Sequence, residues 1–142
     1  MGELKPSHLG IVVKDADKTS EFLSSLWGLG PWKAVDYAAP KEAMLVGEPF
    51  RLKLVYTKLG PVTLELLQPI EGESIWADFL KTKGEGVHHI AFMVSDWEER
   101  VSQLKAQGGK MLVGAAFQNS RWCYFETMPG GIIVEYMDNY EL

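Results

Sequence analysis

The strongest constraint on this 142-residue chain is that it repeats itself. HLGIVVKDADKTSEFL begins at His8 and HIAFMVSDWEERVSQL begins at His89, 81 residues further on. Across that offset His8 falls on His89, Val13 on Val94, Asp15 on Asp96 and Leu23 on Leu104. A fold built on this pattern must place two like units about a common axis. The competing reading is chance likeness between two β-α units, since all such units share a pattern.

Each copy opens with a β-branched and apolar run, 9–13 and 90–94, that reads as a strand. Asp15 and Asp96 follow as helix-start residues, because their carboxylates can accept from free backbone N–H groups. The first helix is expected to bury Phe22, Leu23 and Leu26, and the second Val101 and Leu104, at spacings of three or four. Gly28 and Gly30 stop one helix, and Gly108 and Gly109 the other. Three candidate strands follow in each half: 32–37, 50–56 and 62–67, then 110–117, 122–126 and 132–137. Turn residues separate them, Pro40, Gly60-Pro61, Gln118-Asn119 and Pro129-Gly130-Gly131. A short helix over 75–83 links the halves, so each half reads β-α-β-β-β.

Each half also ends alike, on a Glu embedded in an apolar strand: Glu65 in TLELLQP and Glu135 in IVEYMDN. Strand alternation puts Glu65 on a face with Thr63 and Leu67, and Glu135 with Ile133 and Met137. An inward carboxylate costs several kcal/mol unless something pairs with it. One divalent ion held by His8, Glu65, His89 and Glu135 answers all four groups together. Imidazole nitrogen and carboxylate oxygen suit Zn, Ni, Co, Mn or Fe(II), and two carboxylates neutralise the ion's charge. The alternative is two surface carboxylates on edge strands and two ordinary core histidines. His89, not His88, aligns with His8, and alternation turns His88 to the opposite face, where it reads as a structural residue or, less favoured, as one that supports a ligand.

Composition excludes several classes. With 14 Lys plus Arg against 19 Asp plus Glu, net charge −5, the chain lacks the basic footprint of a nucleic-acid or anionic-membrane binder. Its single cysteine, Cys123, cannot form an internal disulfide and fits a reducing, cytoplasmic setting. The cysteine reads as a small strand residue. The N-terminal apolar run is too short, and too soon ended by Lys14, for a signal peptide or a membrane span. A hydrophobic fraction of 46% and five Trp supply a core and pocket-lining side chains.

HLGIVV, TLELLQP, FLKTKGEGVHHIAFMV and GGIIVEYM together resemble the vicinal oxygen chelate superfamily, which includes glyoxalase I, methylmalonyl-CoA epimerase, extradiol dioxygenases and bleomycin-resistance proteins. The likeness covers about residues 6 to 138 and is nearest to the epimerases. It implies an α+β fold, two βαβββ modules pairing into a cupped, incomplete mixed β-barrel around the metal. The unit spans 1–142, with one module over about 6–70, the linking helix over about 74–83 and the other module over about 87–138. It further implies a homodimer and a small-molecule substrate, an acyl-CoA or a thiol conjugate. The cofactor it implies is one divalent ion of Co, Zn, Ni or Mn.

Epimerases of this kind move an α-proton between two carboxylate bases while the metal stabilises the enolate oxygen. Glu135 matches the family's carboxylate on the last strand. Glu48, in VGEPF, is the nearest match for the other base, against the plain reading of a solvated loop carboxylate. The late stretch FQNSRWCYFETMPGG departs from the epimerases in having no His. Trp32, Trp76 and Trp122 point instead to an apolar ligand, although Trp32 also reads as a strand anchor. The leading expectation is a metal-dependent isomerase or epimerase acting beside a carbonyl or thioester. Glyoxalase I-like lyase chemistry, which needs the same ion and a Glu base, and a non-catalytic drug-binding protein are the alternatives. An extradiol dioxygenase is disfavoured because four protein ligands leave fewer positions for oxygen.

Overall fold

The computed structural model describes residues 2–127 and 129–139. The last three residues of the unit expected over 1–142, with Met1 and Met128, lie outside them. In chain order the elements are β1 Lys5–Val12, α1 Ala16–Trp27, β2 Lys33–Ala38, β3 Met44–Val46, β4 Arg51–Leu59, β5 Val62–Glu71 and α2 Ile75–Thr82. They continue as β6 Gly86–Met93, α3 Trp97–Ala106, β7 Lys110–Ala116, β8 Arg121–Glu126 and β9 Ile133–Asp138. All nine strands form one sheet in the order β2-β4-β5-β1-β6-β9-β8-β7-β3. The repeat is plain in that order: β2-β4-β5-β1 mirrors β7-β8-β9-β6. Each module's first strand pairs parallel with its last, β1 with β5 and β6 with β9, and the modules meet where β1 runs antiparallel to β6.

β3 was not expected. It belongs to the first module in sequence but pairs with β7 at the far edge of the second. Only residues 39–43, with a 3-10 turn at Lys41–Ala43, join β2 at one edge to β3 at the other. So short a link reaches about 20 Å, whereas nine flat strands at about 4.8 Å spacing would be nearly 40 Å wide. The sheet therefore has to curl. The result is the cupped, incomplete barrel, with one apolar cluster on its concave side and two more beneath α1 and α3.

α1 starts as expected, the Asp15 carboxylate accepting from the Lys18 N–H, and ends on Gly28 in the left-handed region (φ 67°). Its buried face differs. Phe22, Leu26 and Trp27 are exposed, while Ala16 and Ser20 are buried and Leu23 packs beneath them. Small side chains at these positions let the helix lie close on the sheet, where Val13, Val55 and Leu66 already fill the interface. α3 buries Val101 and half-buries Leu104, as its spacing predicts, together with Trp97. Asp96 does not cap α3 with its side chain; it takes the Arg100 Nε–H at 2.7 Å and the Gly2 N–H at 2.9 Å. Among the described residues no helix is long and apolar enough to cross a membrane.

Candidate metal centre

His8, Glu65, His89 and Glu135 stand on β1, β5, β6 and β9, four strands that are consecutive in the sheet and straddle the junction of the modules. Register shows why they converge. Glu65 pairs with Gly10, two residues after His8, and Glu135 pairs with Ala91, two residues after His89. The same His-to-Glu offset recurs in each module, and the antiparallel β1–β6 pairing turns the two sets toward each other. All four residues are buried.

The ligand atoms of His8, His89 and Glu135 lie within 4.8 Å of one another. His8 Nε2 is 3.1 Å from His89 Nε2 and 3.1 Å from Glu135 Oε1, and His89 Nε2 is 3.4 Å from the same oxygen. Atoms bound at roughly 2.0–2.2 Å around a tetrahedral ion stand about 3.4 Å apart, so the three already have the separations of a ligand set. Glu135 Oε1 is buried, with the two imidazole Nε2 atoms close to it, and a cation would offset the charge of a carboxylate taken out of water. Glu65 Oε1 lies 3.5 Å from His8 Nε2, beside the close set rather than within it. The residues present fit one divalent ion.

The electrostatics record two carboxylates and two imidazoles taken out of water together. Burial raises the Glu65 carboxyl well above its usual range, and the nearby Glu135 charge adds to this against the opposing pull of His8. Burial would raise Glu135 as well, but hydrogen bonds and charge from His8 and His89 outweigh it and hold that carboxyl low. Burial works against a charged His8, yet Glu65 and Glu135 lift its pKa to about 9. Burial lowers His89. Tyr124, whose hydroxyl is 3.2 Å from His89 Nε2, is kept a neutral phenol, first by burial and then by the two carboxylates.

Above this floor opens a cleft with about 440 Å³ of empty space, the open solvent at its mouth included, lined by His8, Glu65 and Glu135 and by an aromatic wall. Phe50 and Trp76 pack at 4.8 Å between ring centres and Trp76 and Tyr124 at 5.1 Å, while Trp122 Nε1–H donates to the Tyr37 hydroxyl at 2.6 Å. The Trp76 Nε1–H is buried beside Tyr124. Of the three tryptophans singled out in the sequence, Trp76 and Trp122 line this cavity. Trp32 does not: it packs under α1 and donates to Ser24 Oγ at 2.7 Å, the strand-anchor alternative. Glu48 is exposed in the loop between β3 and β4 and is not among the residues lining the cavity.

Two contributors, Gly10 and Tyr124, went unread in the sequence, and a third, His88, was placed on the wrong face. Gly10 pairs with His89, and a Cβ there would stand 2.0 Å from His89 Cε1, so the ring lies in the space a side chain would fill. A glycine inside an apolar strand is the signal for such an approach. Tyr124 joins Trp122 on the cavity side of β8 by simple alternation. His88, expected on the opposite face, is buried beneath α2 with its ring 5.0 Å from that of Phe79. The ladder skips it, Gly10 pairing with His89 and Ile11 with Val87, and the bulge breaks the alternation on which the expectation rested.

Comparison with known proteins fits this arrangement. The family model of the glyoxalase/bleomycin resistance protein/dioxygenase superfamily matches residues 7–125. The chain belongs to that superfamily. As a superfamily member it is 32% identical over 100 residues to human mitochondrial methylmalonyl-CoA epimerase, covering 70% of this chain and 51% of that protein. It is 29% identical over 100 residues to the uncharacterized Bacillus subtilis protein YqjC, covering 70% and 64%. The match thus spans about half to two thirds of the length of these curated relatives. Among solved structures, a hypothetical protein from Bacillus halodurans superposes with a TM-score of 0.73 at 25% identity, covering 99% of this chain and 98% of that one. A variant of Streptomyces coelicolor methylmalonyl-CoA epimerase in complex with 2-nitronate-propionyl-CoA superposes with a TM-score of 0.69 at 25% identity, covering 98% and 100%.

Proposed function

We propose that this superfamily member is a metal-dependent isomerase that exchanges the proton on a carbon next to a thioester or other carbonyl, in the manner of a methylmalonyl-CoA epimerase. The observation that carries the reading is the convergence of His8, His89 and Glu135 on one point at the floor of an apolar cavity, with a second buried carboxylate, Glu65, beside them. In this reading the three close residues would hold the ion, with the Glu65 carboxylate beside them. The ion supplies positive charge at the carbonyl oxygen, where negative charge develops as the α-proton leaves. Glu65 would take the proton from one face of the carbon, since it faces the cavity and burial raises its pKa. Glu135, the other buried carboxylate lining the cavity, would return a proton to the opposite face, so that the carbon inverts. The aromatic wall excludes water and receives the apolar part of the substrate. Glu48, exposed in its loop, has no role in this scheme.

Two measurements test it. Metal-stripped protein reloaded with Co, Ni, Mn or Zn should hold about one ion per chain, and the loaded protein should exchange solvent deuterium into the α-position of methylmalonyl-CoA or a simpler 2-methyl thioester. Glu65→Gln should keep the ion and lose exchange, whereas Glu135→Gln should lose the ion. A protein that takes up none of these metals overturns the reading. Loaded protein that binds such ligands without exchange would be a binding protein, the role that the aromatic wall would also serve.

A further inference from the structure

In a regular strand the residue before a ligand points away from it. At both histidines of this centre it does not. The β1–β6 ladder slips twice: Pro6 pairs with Phe92 and His8 with Ala91, leaving Ser7 without a partner, and the second slip leaves out His88. Both bulged residues immediately precede a histidine, and they are themselves 81 residues apart, the offset of the repeat. Each bulge returns a side chain to the ring beside it. Ser7 Oγ lies 3.2 Å from His8 Nδ1, and His88 Nδ1 lies 3.0 Å from His89 Nδ1. In each ring the other nitrogen, Nε2, faces the centre.

We propose that His88 is a positioning residue that fixes the tautomer of His89, its Nδ1 accepting the His89 Nδ1–H so that the Nε2 lone pair of His89 is presented to the ion. The inference rests on the metal reading above. Two ring nitrogens 3.0 Å apart cannot both carry a proton, and cannot both offer a lone pair without repulsion. One proton lies between them. A His89 that binds through Nε2 needs that proton on its own Nδ1, which makes His88 Nδ1 the acceptor and places the proton of His88 on its Nε2. A metal-bound histidine commonly donates in this way to a carboxylate or a carbonyl, and the partner sets ring orientation and basicity. Here the acceptor is a neutral imidazole, so it adds no charge to a centre already holding two carboxylates. α2 keeps it in place, with Phe79 packed edge-on at 5.0 Å and Trp76 at 6.4 Å between ring centres. The helix that links the two modules thereby also holds the orientation of one ligand.

The test compares His88→Asn, whose side-chain carbonyl stands near the position of Nδ1, with His88→Leu, which fills similar space and accepts nothing. The zinc dissociation constant of each full-length protein is measured by competition with a chelator. The His89 ring nitrogens of the zinc-loaded forms are assigned by nitrogen-15 NMR. His88→Leu should weaken zinc binding about 10- to 100-fold, and His88→Asn should recover most of the loss and keep a hydrogen-bonded Nδ1–H on His89. Metal-free melting temperatures separate this effect from damage to the fold, because loss of packing alone would lower them in step with affinity. Equal losses in both variants, or wild-type affinity in His88→Leu, would overturn the proposal while leaving the metal reading intact. A wild-type protein that binds no zinc, cobalt, nickel or manganese would overturn both.

Discussion

Gly10 and His89 share one volume. The ring occupies the space over Gly10 that any Cβ would enter, at 2.0 Å from Cε1. Gly10→Ala must therefore displace the ring or the strand. We expect it to cost about 1–3 kcal/mol, as overpacking does, and to weaken metal binding as well, read by melting temperature and chelator competition. The residue in the matching place of the second module is Ala91, fully buried and paired with Glu135 and His8, so that position holds the methyl group that Gly10 has no room for. The buried charges make a second prediction at this scale. Without an ion, His8 has a pKa raised from 6.5 to about 9, so its contribution to stability is complete below about pH 6.5 and lost as pH rises through 9. Glu65 is also raised, from 4.5, and acts in the same direction at lower pH. Calorimetry of chelator-treated protein should show the melting temperature falling between about pH 6.5 and 9. A flat or rising profile would contradict the ion pairing of His8 with Glu65 and Glu135.

The helices show how far local signals carry. Asp15 caps α1 through a hydrogen bond from the Lys18 N–H at 3.0 Å, so Asp15→Ala should cost about 0.5–2 kcal/mol. Asp96 is committed to Arg100 and Gly2 instead, and its replacement acts on the N-terminal segment more than on the helix. On α1 the exposed Leu26 and the packed Leu23 make a paired test by denaturant melts. Leu26→Ser should stay within about 0.5 kcal/mol of wild type, as surface changes do. Leu23→Ala should cost clearly more, and equal effects would mean that the apolar side of this helix is covered.

For the whole molecule, the site depends on the join between modules. Each contributes one histidine and one carboxylate, and neither has the close set of His8, His89 and Glu135 alone. An ion bound only by the assembled sheet stabilises it by mass action, about 2.7 kcal/mol when the free metal is a hundred times the dissociation constant. Metal should therefore raise the melting temperature of wild type and leave that of Glu135→Gln unmoved. It should also flatten the pH dependence described above, since the ion takes the place of the His8 proton. The concave shape has a separate origin in the five-residue link at 39–43, which ties opposite edges of the sheet together through β3.

The sequence by itself determined the repeat, the helices and eight of the nine strands to within about four residues, and the four polar side chains that close on the junction. These follow from periodicity, and from the cost of an unpaired carboxylate inside an apolar strand, both of which are local properties. Tertiary structure decided the rest. A bulge turned His88 inward; a short link sent β3 to the distant edge; and the sheet beneath α1 chose small residues over Phe22 and Leu26. It also left Glu48 outside the cavity and Glu65 at the margin of the close set. Such outcomes depend on which neighbour fills a given space, and that is fixed only when strands far apart in the chain lie side by side.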